Sequence, residues 1–159
     1  MHLKFYCYFK RKHATTLPEK NYDGSMKSQM LCPCKSQNLY EGCCKLYHLG
    51  APAPDAETLM RSRYSAYALG LADYIIKTTH PDHPQFNKKT WEWREDILSF
   101  SRATEFIDLE ILAFENQDPL AYVTFTALLK QQGKDVSYTE KSLFEKKDDL
   151  WMYKDAEFL

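Results

Sequence analysis

Apolar residues between 55 and 71 recur at helical spacing: Leu59, Met60, Tyr64, Tyr67, Ala68 and Leu71 follow Asp55, a residue type suited to capping a helix N-terminus. Gly70 can end or bend that run, and 71–79 offers a second short helical segment that His80-Pro81 stops. From 88 to 99 the positions Trp91, Trp93, Ile97 and Leu98, continued by Phe100, suit a third amphipathic helix, with Glu92, Arg94, Glu95 and Asp96 solvated. Thereafter the period changes to two. Residues 106–111, 121–129, 136–145 and 150–153 read as four strands, separated by turn-forming stretches at 116–119, 132–135 and 146–149. Helices first and an antiparallel meander last define an α+β domain in which a curled sheet closes over helices and leaves a pocket at its open end.

Composition adds limits to that picture. The 159 residues, 44% of them hydrophobic and 14% aromatic, supply one well-buried domain and a small satellite. A formal charge of −1 sets up no long-range field toward nucleic acid or an anionic membrane. Charged residues interrupt every hydrophobic run well short of the roughly 18 residues that a spanning helix needs. A cytoplasmic chain without a membrane or nucleic-acid partner is expected. The charge is uneven, however. Residues 1–29 carry six Lys or Arg against Glu19 and Asp23, so this stretch reads as a disordered basic tail or as sequence ahead of a start at Met26 or Met30.

Four of the five cysteines fall within thirteen residues, as Cys32-Pro33-Cys34 and Cys43-Cys44, with Cys7 apart. Two cysteines separated by one residue aim their sulfurs at a common centre only if the backbone turns tightly, and Pro33 presets one dihedral of such a turn. The eight residues 35–42 suffice for a turn and a short helix that returns Cys43 and Cys44 to the same point. Four thiolates then close a tetrahedral shell suited to one Zn²⁺, and a full shell leaves no position for activating water, so the ion is structural. Disulfides, thiol redox chemistry and an iron–sulfur cluster compete with this reading. His48, four residues past Cys44, is a substitute ligand or a packing residue.

In the third strand Tyr138, Glu140, Ser142 and Phe144 share one face, and the aromatics mark it as inward. Glu140 is then a carboxylate on an apolar wall, which has to be paired or protonated. In a structural account Arg61 or Arg63 bonds Glu140 and fixes how helix and sheet dock. In a functional account Glu140, Tyr64, Asp73 and His80 converge on a cavity as ligand-binding or acid–base groups. The sequence holds no nucleophile elbow, Gly-rich phosphate cradle or His-rich open metal site, so the enzyme reading names no chemistry.

The segment Cys32-Pro33-Cys34, Ser36, Tyr40 and Cys43-Cys44 resembles the SEC-C metal-binding motif, the zinc knuckle also found at the C-terminus of the SecA translocation ATPase. Residues 59–67 (Leu-Met-Arg-Ser-Arg-Tyr-Ser-Ala-Tyr), 73–81 (Asp-Tyr-Ile-Ile-Lys-Thr-Thr-His-Pro) and 140–144 (Glu-Lys-Ser-Leu-Phe) resemble, in the same order, the uncharacterised bacterial YchJ-like proteins. The resemblance implies a SEC-C knuckle over 30–50 followed by an NTF2-like domain over 51–159, and sheets of that family often pair into dimers. It also implies that the knuckle docks a protein partner, as the one in SecA engages an export chaperone and ribosomes. On this reading the chain is a protein-interaction adaptor. Two departures stand out: Lys35 replaces the usual Gly, and the chain ends at Leu159 without the second knuckle that many members carry.

Overall fold

The computed structural model describes residues 30–159; the basic stretch 1–29, including Cys7, lies outside the described residues. The described part opens with a small knuckle. An antiparallel bridge between Leu31 and Leu39 leads into a 3-10 turn, Tyr40–Gly42, and then helix α1, Cys44–His48. The expected helix between the two cysteine pairs is thus only a single tight turn, and the regular helix begins on Cys44 itself. A Pro-containing linker follows.

Helix α2, Ala56–Leu69, is capped by the Asp55 carboxylate, which accepts from the Thr58 backbone N–H at 2.7 Å. It ends at Gly70, whose φ of 69° is the left-handed cap that glycine adopts without strain. Helix α3, Ala72–Lys77, and helix α4, Thr90–Ala103, complete the helical layer. In α4 Trp93 and Ile97 are buried, four residues apart on one face, whereas Trp91 is exposed. Two residues of helix turn a side chain through about 200°, so Trp91 and Trp93 could not share the inward face.

The sheet has the order β1-β2-β4-β5, all neighbours antiparallel: β1 Glu105–Gln117, β2 Leu120–Gln131, β4 Tyr138–Lys147 and β5 Leu150–Phe158, with a two-residue β3, Lys134–Asp135, pairing only with β2. The first strand runs well past the expected 106–111, because two bulges shift its register and its far half leaves the core, where hydrophobic alternation no longer applies. The expected strand over 136–145 is interrupted at Ser137. Its hydroxyl accepts from the Leu129 N–H at 3.0 Å, taking the place of a ladder bond. The last strand also continues beyond residue 153, with a bulge near Phe144 that re-aims its far end.

Core packing follows the alternation. Along β2, Ala121, Val123, Phe125, Ala127 and Leu129 are buried and meet Leu59, Met60 and Tyr64 of α2. A second cluster, Ala66, Ala72, Ile75, Trp93 and Ile97, joins α2, α3 and α4. Beyond α3 the chain grips the sheet edge: Thr79 forms a parallel bridge to Tyr153, the His80 N–H donates to the Tyr153 carbonyl at 2.7 Å, and the Tyr153 N–H donates to the Thr78 carbonyl at 2.9 Å. Among the described residues no helix is long and apolar enough to cross a membrane.

Because α2 carries both the knuckle and the core face, its N-cap matters to the whole molecule. Asp55→Ala should lower stability by about 1 kcal/mol, read as a shift of the urea midpoint at unchanged slope. An unshifted midpoint would show that the cap contributes nothing.

Candidate metal centre and aromatic cavity

The four knuckle cysteines meet. All four Sγ atoms lie within 4.8 Å of one another; Cys34 and Cys43 are 3.6 Å apart, and Cys43 and Cys44 are 4.0 Å apart. A tetrahedral thiolate shell with metal–sulfur bonds of about 2.3 Å places its sulfurs roughly 3.8 Å apart. A disulfide needs about 2.05 Å, and all four are free thiols. The spacing therefore fits a shared cation and not a bridge, and this cluster could hold a metal ion.

The backbone reason is a hairpin knuckle. The Cys32 N–H donates to the Asn38 carbonyl at 2.8 Å and the Lys35 N–H to the Cys32 carbonyl at 3.1 Å, with Lys35 at φ 62° and Gln37 at φ 63°. The left-handed conformation at Lys35 explains why glycine suits this position. The Ser36 hydroxyl sits 3.2 Å from the Cys34 sulfur and 3.3 Å from that of Cys43, and it helps fix both. Crowded thiols resist ionising together: hydrogen bonds from Cys34 and Cys44 hold Cys32 far below its ordinary value, while donation to Cys32 pushes Cys34 up to about 11 and Cys44 higher still. A cation among them removes that conflict by neutralising the thiolates it binds.

His48 is not free to serve as a ligand. Its Nδ1 lies 2.8 Å from the Tyr40 hydroxyl and its Nε2 2.8 Å from the Ser62 carbonyl, so the ring, neutral and donating through Nε2, rivets the knuckle to α2. Burial holds its pKa below the ordinary value, against the opposing pull of the Ser62 carbonyl. Two more contacts join knuckle and helix. Cys32 Sγ approaches Ser65 Oγ at 3.8 Å, and Arg61 donates to the Cys34 carbonyl at 3.4 Å.

On the other side of α2 the sheet and helices enclose a cavity of about 520 Å³. Arg63, Tyr64 and Glu140 line it; Arg61, Asp73 and His80 do not. Arg61 lies two residues from Arg63 on the helix, so it faces the knuckle and pairs with Glu57 at 2.9 Å. Asp73 lies in the first turn of α3, facing solvent, and is ion-paired with Arg94. His80 is buried under β5, with Nδ1 accepting from the Asp82 N–H at 3.2 Å. Glu140 is 7% exposed, on the inward face with Ser142 and Phe144, and accepts from the Ser142 hydroxyl. Arg63 does not bond it directly. Its Nη1 donates to the Ile75 carbonyl at 2.9 Å and the Thr78 hydroxyl at 2.7 Å, and the guanidinium stacks 4.6 Å from the Tyr153 ring.

Burial pushes the Glu140 carboxyl from an ordinary 4.5 up to about 7; the Ser142 hydroxyl and then Arg63 oppose the rise, and Asp155 adds to it. Sequence reasoning missed Tyr153 and Asp155 as cavity residues because the strand pattern fades at 153, before the far end of β5 bends inward. It also missed Gln85, whose 3-10 turn Pro84–Asn87 carries no periodic signal.

Comparison with known proteins agrees with this anatomy. Residues 55–156 match the family described as YchJ, middle NTF2-like domain. The chain belongs to the YchJ-like family. UPF0225 protein BPP1723 of Bordetella parapertussis is 38% identical over 135 residues, covering 82% of this YchJ-like chain and 94% of its own length. A UPF0225 protein of Bordetella pertussis is 39% identical over 131 residues, covering 79% and 91%. Among solved structures, the SEC-C motif containing protein RPA3114 of Rhodopseudomonas palustris superposes with a TM-score of 0.71 at 30% identity, over 82% of this chain and 99% of that one. A SEC-C motif containing protein from Psychrobacter arcticus gives 0.69 at 30% identity, over 81% and 82%. These likenesses show the α+β, NTF2-like fold with an N-terminal cysteine cluster.

Two substitutions test the local physics. Lys35→Gly relieves a left-handed side-chain residue and should raise the unfolding midpoint by the equivalent of up to about 1 kcal/mol; a lower midpoint would mean that the lysine is not strained. For Glu140 the folded pKa lies above the unfolded one. Its protonated form therefore stabilises the native state below pH 4.5, and this contribution is lost as pH rises to about 7. The loss is on the order of 3 kcal/mol. Glu140→Gln, which cannot ionise, should raise the melting temperature at pH 8 more than at pH 4; equal effects at the two pH values would remove burial as the cause.

Proposed function

We propose that this YchJ-like chain is a zinc-stapled protein-interaction adaptor of the cytoplasm, in which Cys32, Cys34, Cys43 and Cys44 bind one structural Zn²⁺ and the knuckle presents a docking surface to a protein partner. Four sulfurs, no redox demand and tetrahedral spacing suit zinc better than the harder divalent ions, which prefer oxygen ligands. With four protein ligands the ion has no open position, so its task is to hold the fold.

The observation that carries the docking role is what the knuckle leaves outside. Leu31, Leu39, Leu46 and Leu49 are 61%, 48%, 48% and 77% exposed. Leu31 and Leu39 are bridged neighbours across the hairpin, and Leu46 and Leu49 lie one helical turn apart on and just after α1. A cysteine-stapled unit does not need those leucines for its core, and clustered exposed apolar side chains mark recognition surfaces. The SEC-C motif proteins of similar structure support the metal-binding reading of the knuckle.

Metal analysis of purified protein should return about one zinc per chain, and Cys43→Ser combined with Cys44→Ser should abolish it. Leu39→Ser with Leu49→Ser should keep zinc and melting temperature, yet lose a partner that affinity capture recovers with the unsubstituted chain. Full zinc retention by the cysteine variant, or an unchanged set of captured proteins with the leucine variant, would overturn the proposal.

A further inference from the structure

The cavity behind α2 is separate from the knuckle, and its walls have a definite chemical character. Tyr64, Trp93, Phe125, Tyr138 and Tyr153 supply aromatic surface from α2, α4, β2, β4 and β5. Its volume, about 520 Å³, lies within the range that takes a small organic molecule. The fixed charges are unbalanced. Glu140 and Asp155 bring carboxylates against a single fixed cation, Arg63, and Asp96 is engaged by Lys88 at 3.2 Å.

Arg63 is engaged at one nitrogen. Its Nη1 serves the Ile75 carbonyl and the hydroxyls of Thr78 and Thr79, and one face is covered by the Tyr153 ring. Glu140 has a hydroxyl donor in Ser142, but among the described residues no cationic nitrogen stands at ion-pair distance from it. A buried carboxylate without a direct cation is costly unless it is protonated or meets one from outside. A carboxylate without a direct cation and a ring of π-faces call for a ligand with N–H donors and positive charge on an apolar body.

From this geometry we infer that the cavity is a binding site for a small aromatic or alkyl amine, held with its ammonium group on Glu140 and its apolar body among Tyr64, Phe125, Tyr138 and Trp93. The site does not depend on the adaptor role and uses none of the knuckle residues. An acidic ligand would meet Arg63 but also face the Glu140 and Asp155 carboxylates. A neutral alcohol would bring no counter-charge to Glu140 once it is ionised.

Three isosteric probes separate these cases by calorimetry on the full zinc-loaded chain: 4-phenylbutylamine, 4-phenylbutanol and 4-phenylbutyrate. The amine should bind at least about tenfold more tightly than the other two, the worth of one charge-assisted contact. Glu140→Gln should erase that preference. The unsubstituted protein offers a second reading. The probe amine stays protonated below about pH 9, so its affinity should rise between pH 6 and pH 8 as Glu140 ionises, facing Arg63 from α2 and Tyr153 and Asp155 from β5. His83 also lines the cavity, and whatever pH dependence survives in Glu140→Gln belongs to groups other than Glu140. Equal or tighter binding of the acid or the alcohol, no binding of the amine, or an amine affinity flat with pH would each overturn the assignment.

Discussion

Five consecutive residues of α2 tie the molecule together, and the pitch of a helix is what lets them. With about 100° between successive side chains, residues 61 to 65 point in every direction. Arg61 reaches the Cys34 carbonyl in the knuckle, the Ser62 carbonyl receives His48, and the Ser62 hydroxyl meets that of Tyr74 at 2.7 Å. Arg63 closes off the end of α3, the Tyr64 hydroxyl donates to the Asp108 carbonyl of β1 at 3.0 Å, and Ser65 touches Cys32. Ser62 and Ser65 are fully buried. Their small size lets the knuckle and α3 approach the helix axis, and their hydroxyls satisfy groups that a pair of alanines would orphan.

The same helix explains why the molecule divides its chemistry. The side of α2 that receives the knuckle is polar and hydrogen-bonded, and a closed thiolate cluster on it needs docking points more than space. The other side faces a sheet whose register is set by β2, with every second residue inward. A bulge near Phe144 and the parallel grip of residues 78–80 on Tyr153 draw β5 toward the helices at one end. The bent sheet cannot pack flat against three helical segments of unequal length, and the cavity is the space left between them.

Much of this was legible from the residues, and the failures share a cause. Strong, local signals translated directly: the Asp55 cap, the Gly70 stop, the period-two face of Glu140, Ser142 and Phe144, and the clustering of Cys32, Cys34, Cys43 and Cys44. What periodicity cannot resolve is direction. Arg61 and Arg63 are equivalent in a one-dimensional pattern, yet opposite sides of the helix give one to the knuckle and the other to the cavity. Asp73 and His80 are near Glu140 in the family-like motif order, but α3 turns Asp73 to solvent and the β5 bridge pulls His80 beneath the sheet edge. Gln85 and Asp155 lie in a 3-10 turn and past a bulge, where neither the helical nor the strand period applies.

Glu140 is the residue whose presence purely structural reasoning accounts for least. Its β-sheet partners would accept an apolar side chain: Phe125 lies across from it on one strand and Phe158 on the other. A leucine there would gain burial and avoid the desolvation that raises the carboxyl to about 7. If its purpose were to anchor α2, a direct bond to Arg63 would be the economical arrangement. Arg63 instead donates to backbone and hydroxyl groups at the end of α3, and the carboxylate is left facing open volume. A carboxyl kept in a cavity at a cost to stability, with no direct bond to the neighbouring cation, has its compensation in what enters that cavity.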